Sequence, residues 1–265
     1  MSNFSNIGFQ VASPEDLQVL IQKTYGIGTV YAVDKGSYIL YSDDSDAELW
    51  IQRNEKKQII GINPHYNGLS RRNVCLTQAI KGKTSQLDGS FSAWADPSDD
   101  TNPESGLYPF VFDVPDFKRI KELHFPINQL IQLTAFAKQL QVYTSEDEFH
   151  TSQTTNMKLS AHSFIPTGLF STQDTSDVEK NAATASFSGS IKAFKKKKNE
   201  LSQCEFYCLL IDTYGGEVDV VSDCSFFDKE PVINGIVHGE FWLSGQLIDP
   251  PKPETKKFWK RIFGK

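Results

Sequence analysis

The chain has 265 residues, of which 39% are hydrophobic and 23% are charged, and its net charge is −6 at pH 7. This composition is typical of a globular protein and excludes a disordered chain. No apolar run approaches the ~20 residues that a membrane-spanning helix needs, and the acidic balance argues against a general nucleic-acid-binding protein. The N-terminus lacks the basic and apolar segments of a secretory signal, and the cysteines show no metal-type spacing. We therefore expect a reduced, cytoplasmic protein.

The N-terminal region predicts one helix among short strands. Residues 6–11 alternate between apolar and polar side chains, as a strand does. Ser13 and Pro14, followed by two acidic residues, are typical of a helix start, because serine caps the first turn and acids favour the positive end of the helix dipole. Further strands are predicted at residues 30–33 with 37–41, 47–52 and 58–63. The order is strand, helix, strand, strand, strand.

That order, together with the run GSYILYSDDSDAELWI at residues 36–51, resembles one module of the vicinal oxygen chelate (glyoxalase-like) superfamily. Residues 72–76 (RNVCL) resemble the start of a second module, whose later strands would be residues 88–95 and 108–113. The resemblance covers residues 2–116 and implies a βαβββ-type region.

The superfamily usually holds a metal with His or Gln near the first strand of each module and Glu near the last. Glu48 stands where such a glutamate would be, whereas Asn6 and Asn73 stand near the histidine positions. An amide oxygen is a poor ligand for zinc or iron beside imidazole. The resemblance therefore implies a cup with Glu48 as the one candidate metal ligand. The alternative is that Glu48 is an ordinary exposed strand residue.

Residues 126–143 predict a helix that connects two parts of the chain, because apolar residues recur over a wide arc at helical spacing. A polar stretch at residues 171–181 then predicts a boundary. The expected fold is α+β, and its parts are a glyoxalase-like region at 1–125, the connecting helix and linker at 126–180, a small antiparallel β-barrel at 181–249 and a tail at 250–265.

The predicted barrel is drawn from several short strands. Residues 186–193 alternate in polarity and residues 206–211 form a continuous apolar run, as a strand covered on both faces does. Residues 212–216 contain two glycines, which suit a tight turn. Within residues 235–248, Gly239 and Gly245 are at positions suited to bulges or corners. Several short strands with glycine corners are typical of a small β-barrel.

The runs GSI at 189–191, NEL at 199–201, FYCLLIDTYGGEVDV at 206–220 and GIVHG at 235–239 resemble an OB-fold. OB-folds often bind single-stranded nucleic acid through stacking aromatic rings and basic loops. The resemblance implies such a role for the following residues, with the lysines in the first hairpin loop: Tyr207, Tyr214, Trp242, Lys195, Lys196, Lys197 and Lys198. The alternatives are that the rings fill the core and that the lysines form a solvated turn.

The C-terminal tail is basic and aromatic. Residues 252–265 hold six Lys or Arg and one Glu, a net charge of +5. If this tail is helical, Phe258, Trp259, Ile262 and Phe263 share one face, and Lys257, Lys260 and Arg261 share the other. Such a segment fits a membrane surface or a groove on a protein partner. The alternative is that its aromatic rings dock on the acidic body of the same chain.

The sequence contains no nucleophile elbow, phosphate-binding glycine loop or dinucleotide fingerprint, and it identifies no cofactor. The leading hypothesis is therefore a non-enzymatic binding protein that interacts through a β-rich scaffold and its tail. The alternatives are a single-strand nucleic-acid-binding protein that uses the barrel and a metal-dependent glyoxalase-like enzyme that uses Glu48.

Overall fold

The computed structural model of the protein describes residues 2–82, 85–99, 102–154, 158–167 and 182–250. Within these ranges the chain forms two α-helices and thirteen strands, which are arranged in one four-stranded and one nine-stranded sheet. The expected α+β class is thus confirmed, with sheets dominating. No helix in the described ranges has the length and apolar character required to cross a membrane.

The four-stranded sheet is an antiparallel meander that follows the first helix, α1 (Pro14–Tyr25). Its strands in spatial order are β1 (Thr29–Val33), β2 (Gly36–Ser42), β3 (Ala47–Asn54) and β4 (Ile59–Tyr66). The predicted strand segments overlap all four strands, but the prediction counted 30–33 with 37–41 as one strand where the structure has β1 and β2. The predicted helix start at Ser13 and Pro14 is confirmed. The Ser13 hydroxyl accepts the backbone N–H of Asp16, and the Asp16 carboxyl group accepts that of Ser13, which satisfies two donors at the start of α1.

The strand predicted at residues 6–11 is wrong. Ser5–Ile7 forms a turn of 3-10 helix that ends at Gly8, whose φ of 82° suits glycine. The side chain of Asn6 then donates to the carbonyl of Ala137 at 2.8 Å and accepts the N–H of Asp223 at 3.2 Å. Because Asn6 bonds to two distant backbone groups, this segment anchors the N-terminus to the larger sheet instead of joining a ladder.

The nine-stranded sheet contains all the later strands, and helix α2 (Glu146–Ser152) lies in one of their connections. The strands are β5 (Arg72–Lys81), β6 (Gly89–Ala95), β7 (Pro109–Asp113), β8 (Ile127–Tyr143), β9 (Ser163–Pro166), β10 (Thr184–Lys198), β11 (Glu205–Thr213), β12 (Gly216–Asp223) and β13 (Ile236–Leu247). Their spatial order is β11-β12-β8-β5-β6-β7-β13-β10-β9, with additional pairings of β11 with β10 and of β8 with β13.

These additional pairings close two rings that share the antiparallel β8–β13 ribbon. The first ring runs β5-β6-β7-β13-β8 and back to β5. The second runs β10-β11-β12-β8-β13 and back to β10. Alternate ribbon residues, such as Leu133 and Leu243, enter one hydrophobic core that contains side chains from both rings. The opposite ribbon face, which includes Phe136, packs against Tyr66 of the four-stranded sheet.

The two rings are related by an approximate two-fold relation in their pairing. Each contains an antiparallel meander of three strands. The first strand carries a bulge and pairs antiparallel with one strand of the shared ribbon, and the third strand pairs in parallel with the other ribbon strand. Asp113 of β7 aligns with Ser244, Ser244 aligns with Thr134, and Thr134 aligns with Asp219 of β12. Asp113 and Asp219 therefore occupy equivalent positions at the two ends of one row across the sheet.

The connecting helix predicted at residues 126–143 is strand β8, so this prediction is wrong. The apolar arc that suggested a helix arises because both faces of the strand are covered. Ile131 and Ala135 enter the core, whereas Phe136 lies under the four-stranded sheet. A strand buried on both faces loses the period of two that distinguishes it from a helix. β8 also pairs with strands on both sides of the predicted barrel boundary.

Arg72 is buried at the start of β5 without a carboxylate partner among the described residues, and only 1% of it is exposed. Its guanidinium carbon lies 4.9 Å from the centre of the Phe164 ring and 5.6 Å from that of Tyr108. One terminal nitrogen donates to the Tyr108 hydroxyl and to the carbonyl of Tyr214. Aromatic faces and neutral acceptors therefore take the place of a counter-ion.

Candidate functional site

A cleft of about 510 Å³ lies between the four-stranded sheet and the end of β13. The four-stranded sheet supplies one wall through β2 and β3, and the segment after β7 and the end of β13 supply the other. The lining residues are Leu40, Glu48, Trp50, Asp116, Arg119, Ile120, Lys121, Leu123, Gln246, Leu247 and Pro250.

Glu48 lies at the buried side of this cleft, with 6% of its surface exposed. It shares a face of β3 with Trp50, because residues two apart in a strand point the same way. The indole N–H of Trp50 donates to Oε2 of Glu48 at 2.8 Å. Burial raises the pKa of Glu48 from 4.5 to about 7, and the negative charge of Asp116 adds to the shift. Glu48 therefore exchanges a proton near neutral pH.

Asp116 and Arg119 form the polar rim of the cleft. A turn of 3-10 helix, Phe117–Arg119, brings them together, and their side chains make an ion pair at 3.0 Å. The Arg119 guanidinium carbon lies 3.9 Å from the centre of the Tyr31 ring and 5.4 Å from that of Trp50. Burial raises the pKa of Asp116, while the charge of Arg119 opposes this shift. The arginine thus connects the rim to the aromatic wall.

The remaining lining residues are mainly apolar, with Leu40 on one wall and Ile120, Leu123 and Leu247 on the other. Lys121 and Gln246 add two polar side chains to the lining. Ligand sites commonly combine such walls with a few polar groups whose pKa values are perturbed. The arrangement can hold an apolar group and direct one hydrogen-bond donor toward Glu48.

Glu48 is the only residue of this cleft that the sequence singled out, and the structure places it on β3 as predicted but buried, not exposed. The other two residues compared with metal ligands lie elsewhere: Asn6 bonds to backbone groups of β8 and β12, and Asn73 is exposed on β5. Across the described ranges, no three His, Cys, Asp or Glu side chains are grouped as a metal site requires.

The lysines predicted in a hairpin loop are instead the last four residues of strand β10, where they pair with the start of β11. This pairing extends the strand, so the connecting loop begins only after Lys198. Lys197 forms an ion pair with Asp46 and lies over the ring of Tyr66 at 5.1 Å, and Lys196 pairs with Glu205 at 2.6 Å. Lys195 and Lys198 are exposed.

The three aromatic residues proposed as a stacking surface lie apart. Tyr207 is 9% exposed and packs on Phe227, with ring centres 4.5 Å apart. Tyr214 is 49% exposed and lies in the turn at the other end of β11. Trp242 donates its indole N–H to Asp113. The structure therefore does not bring these rings together on one face.

The tail residues singled out for a partner or membrane lie outside the described residues; they are Lys257, Phe258, Trp259, Lys260, Arg261, Ile262 and Phe263. Sequence reasoning missed Trp50, Asp116 and Arg119. Trp50 carried one signal, since it follows Glu48 by two residues and so shares its face. Asp116 and Arg119 gave no such signal, because only the tertiary fold brings the segment after β7 to β3.

Comparisons with known protein families, with curated proteins and with solved structures each found no match.

Proposed function

We propose that the protein is a binding protein whose cleft between the two sheets takes a ligand with an apolar body and a positively charged or neutral N–H donor. The observation that supports this proposal is the placement of Glu48. Its carboxyl group is buried beside an apolar wall, and among the described residues only Trp50 donates a hydrogen bond to it. The second oxygen, Oε1, is therefore available to a ligand.

The polarity of the ligand follows from the energetic cost of burying the carboxyl group of Glu48. A buried carboxylate with one hydrogen bond is unfavourable, and a donor that completes its hydrogen bonding recovers part of that cost. An ammonium ligand favours the ionised form of Glu48, whereas a neutral donor can hydrogen-bond to the ionised or the protonated form. We favour binding over catalysis because the cleft combines one available carboxyl group with an ion pair that is already satisfied between Asp116 and Arg119.

A thermal-shift series tests this proposal with n-hexylamine, n-hexanol and hexanoate as probes. We expect hexylamine to stabilise the protein most and hexanoate least, since the ammonium group both donates to Glu48 and offsets its charge, the hydroxyl of hexanol only donates, and the carboxylate of hexanoate repels it. The Glu48→Gln variant should lose the preference for the amine. Glu55→Gln removes the same charge at an exposed position and should keep it. Equal stabilisation by the amine and the alcohol, or an unchanged preference in Glu48→Gln, would contradict the proposal.

A second candidate function is single-strand nucleic-acid binding by an OB-like barrel. It is favoured by the pairing order of the second ring, a three-stranded meander closed by a parallel pair and an antiparallel pair. This resembles the OB order, although β8 precedes the meander in the chain. A fold likeness alone does not establish function.

Fluorescence anisotropy with labelled single-stranded oligonucleotides, at two salt concentrations, tests this candidate. Binding that weakens steeply with salt, persists after removal of residues 250–265 and falls when Lys195 and Lys198 are changed to Gln would support it. Binding that disappears with the tail would indicate a nonspecific cationic contact.

The third candidate, a metal-dependent glyoxalase-like enzyme, requires purified protein to carry a divalent metal that Glu48→Gln releases.

A further inference from the structure

A second and separate pocket surrounds Asp113. Its volume is about 190 Å³, and its walls come from β4, from β13, from the start of β6 and from the end of β7. The polar groups on its lining are Asn63, Asp88, Ser90, Asp113, Trp242 and Ser244, and no lining residue in the described ranges is Lys or Arg.

Both aspartates of this pocket accept hydrogen bonds only from neutral groups among the described residues. Asp113 accepts from the Ser90 hydroxyl at 2.5 Å and from the Trp242 indole N–H at 2.6 Å. Asp88 accepts from the side-chain amides of Gln52 at 2.5 Å and Asn63 at 3.0 Å. Two carboxyl groups thus meet in a small pocket that supplies no cation from its described lining.

The other ring shows what the equivalent carboxyl group binds. Asp219 accepts the backbone N–H of Leu69 at 3.0 Å and that of Ser70 at 2.8 Å. It also accepts the side-chain N–H of Gln132 at 2.8 Å. Gln132 precedes Thr134 by two residues, as Trp242 precedes Ser244, so the donors from the ribbon correspond in the two rings.

The difference between the two positions is the pair of backbone donors. At Asp219 the loop after β4 places two N–H groups against the carboxylate, and Gly68 allows the approach because a Cβ there would collide with Asp219. At Asp113 the corresponding pair is not supplied by any described residue, and the pocket lies there instead.

We propose that this pocket binds a small organic cation with at least two N–H donors, a guanidinium or primary ammonium group, and that Asp113 is its principal acceptor. The two N–H donors reproduce the loop contacts at Asp219, and the positive charge offsets the two aspartates. The proposal does not depend on the cleft at Glu48.

Titration with methylguanidinium, methylammonium and tetramethylammonium, followed by NMR, tests this inference. The reporter is the indole N–H resonance of Trp242, which is identified by its loss in Trp242→Phe. We expect the first two cations to shift this resonance saturably. Tetramethylammonium, which has the same charge but no N–H donor, should not shift it. Replacement by Asp113→Asn should weaken binding by at least about tenfold, since hydrogen bonds to a charged acceptor exceed neutral ones.

Asp44→Asn is the matched control, because it removes the same charge from an exposed residue and should leave binding unchanged. A tripeptide with a central arginine and capped ends distinguishes the two sources of the group. Tighter binding of the peptide than of methylguanidinium assigns the pocket to an arginine side chain, and the reverse assigns it to a free cation. Equal shifts from tetramethylammonium, a response to Mg²⁺ or Ca²⁺ alone, or no shift with any cation would overturn the proposal, even if Asp113→Asn did not fold.

Discussion

Asp113 and Asp219 lie at opposite ends of one row across the β8–β13 ribbon, aligned with Ser244 and Thr134 respectively. Their positions are equivalent, yet Asp219 accepts three N–H groups, whereas Asp113 accepts one N–H and one hydroxyl. Burial raises the pKa of Asp113. The fold therefore depends on them to different extents.

We expect Asp219→Asn to lower the free energy of unfolding by about 1.5–3 kcal/mol, because it replaces charge-assisted hydrogen bonds from two backbone groups. Asp113→Asn should cost less, since burial already disfavours its charged form. Urea denaturation of both variants at neutral pH measures the difference. Gly68→Ala, which crowds the Asp219 carboxylate, should also destabilise the protein. A larger loss for Asp113→Asn than for Asp219→Asn would contradict this assignment.

Glu48 should make stability depend on pH in a defined direction. Its pKa is about 7 in the folded protein and ordinarily 4.5, so the unfolded chain releases this proton first as pH rises. The contribution of Glu48 is therefore fully present below pH 4.5 and is lost as pH rises to about 7. The loss amounts to about 3 kcal/mol.

Glu48→Gln keeps an acceptor for Trp50 and removes the titration. The free energy of unfolding of this variant, relative to the wild type, should increase as pH rises through that interval. Urea denaturation at several pH values measures this, with Glu55→Gln as the exposed control. Parallel pH profiles for the wild type and Glu48→Gln would show that the carboxyl group is not buried in solution.

His65 should titrate in the opposite direction. It is 0% exposed, its Nδ1 lies 2.9 Å from Oγ of Ser244, and burial lowers its pKa from 6.5 to about 3. The folded protein therefore keeps it neutral, and its contribution to stability, present above pH 6.5, is lost as pH falls toward 3. The imidazole C–H resonances of His65, identified by their loss in His65→Gln, should stay constant from about pH 8 to pH 5. A midpoint near 6.5 would indicate that water reaches the ring.

Substitutions of the buried Arg72 separate the contribution of its packing to stability from that of its charge. Arg72→Met keeps an unbranched stem between the aromatic rings and removes a buried cation, so the stability should change by less than about 1.5 kcal/mol. Arg72→Ala removes the stem as well and should cost about 2–4 kcal/mol. Thermal melts of the two variants distinguish these effects. Similar large losses in both would show that the hydrogen bonds to Tyr108 and Tyr214 outweigh the packing.

Local patterns foretold much of the N-terminal region. The capping residues at Ser13 and Asp16 act within one turn, and β1 to β4 are neighbours in sequence, so short-range signals were sufficient there. The helix prediction for residues 126–143 was wrong because burial on both faces removed the period of two that identifies a strand. The strand prediction for residues 6–11 was wrong because the Asn6 side chain bonds to strands more than a hundred residues away. Local alternation of polarity does not encode such a contact.

The candidate sites were harder to foresee for the same reason. Glu48 was found from a resemblance, but its burial and raised pKa depend on the segment around Asp116, which only the fold brings close. The equivalence of Asp113 and Asp219 is invisible in the sequence, because it resides in strand pairing and not in repeated residues. The geometry of both candidate sites therefore depends on the strand topology.

The shared ribbon also constrains how the chain acquires its structure. The first ring is completed by β13, which follows β8 by about a hundred residues. The second ring includes β8, which precedes the β10–β12 meander of that ring in the chain. Neither ring can close before β13 is made, so the pairings that complete both rings form late and together. We expect slow, strongly cooperative folding with exposed strand edges in the nascent chain, which is a state that chaperones recognise.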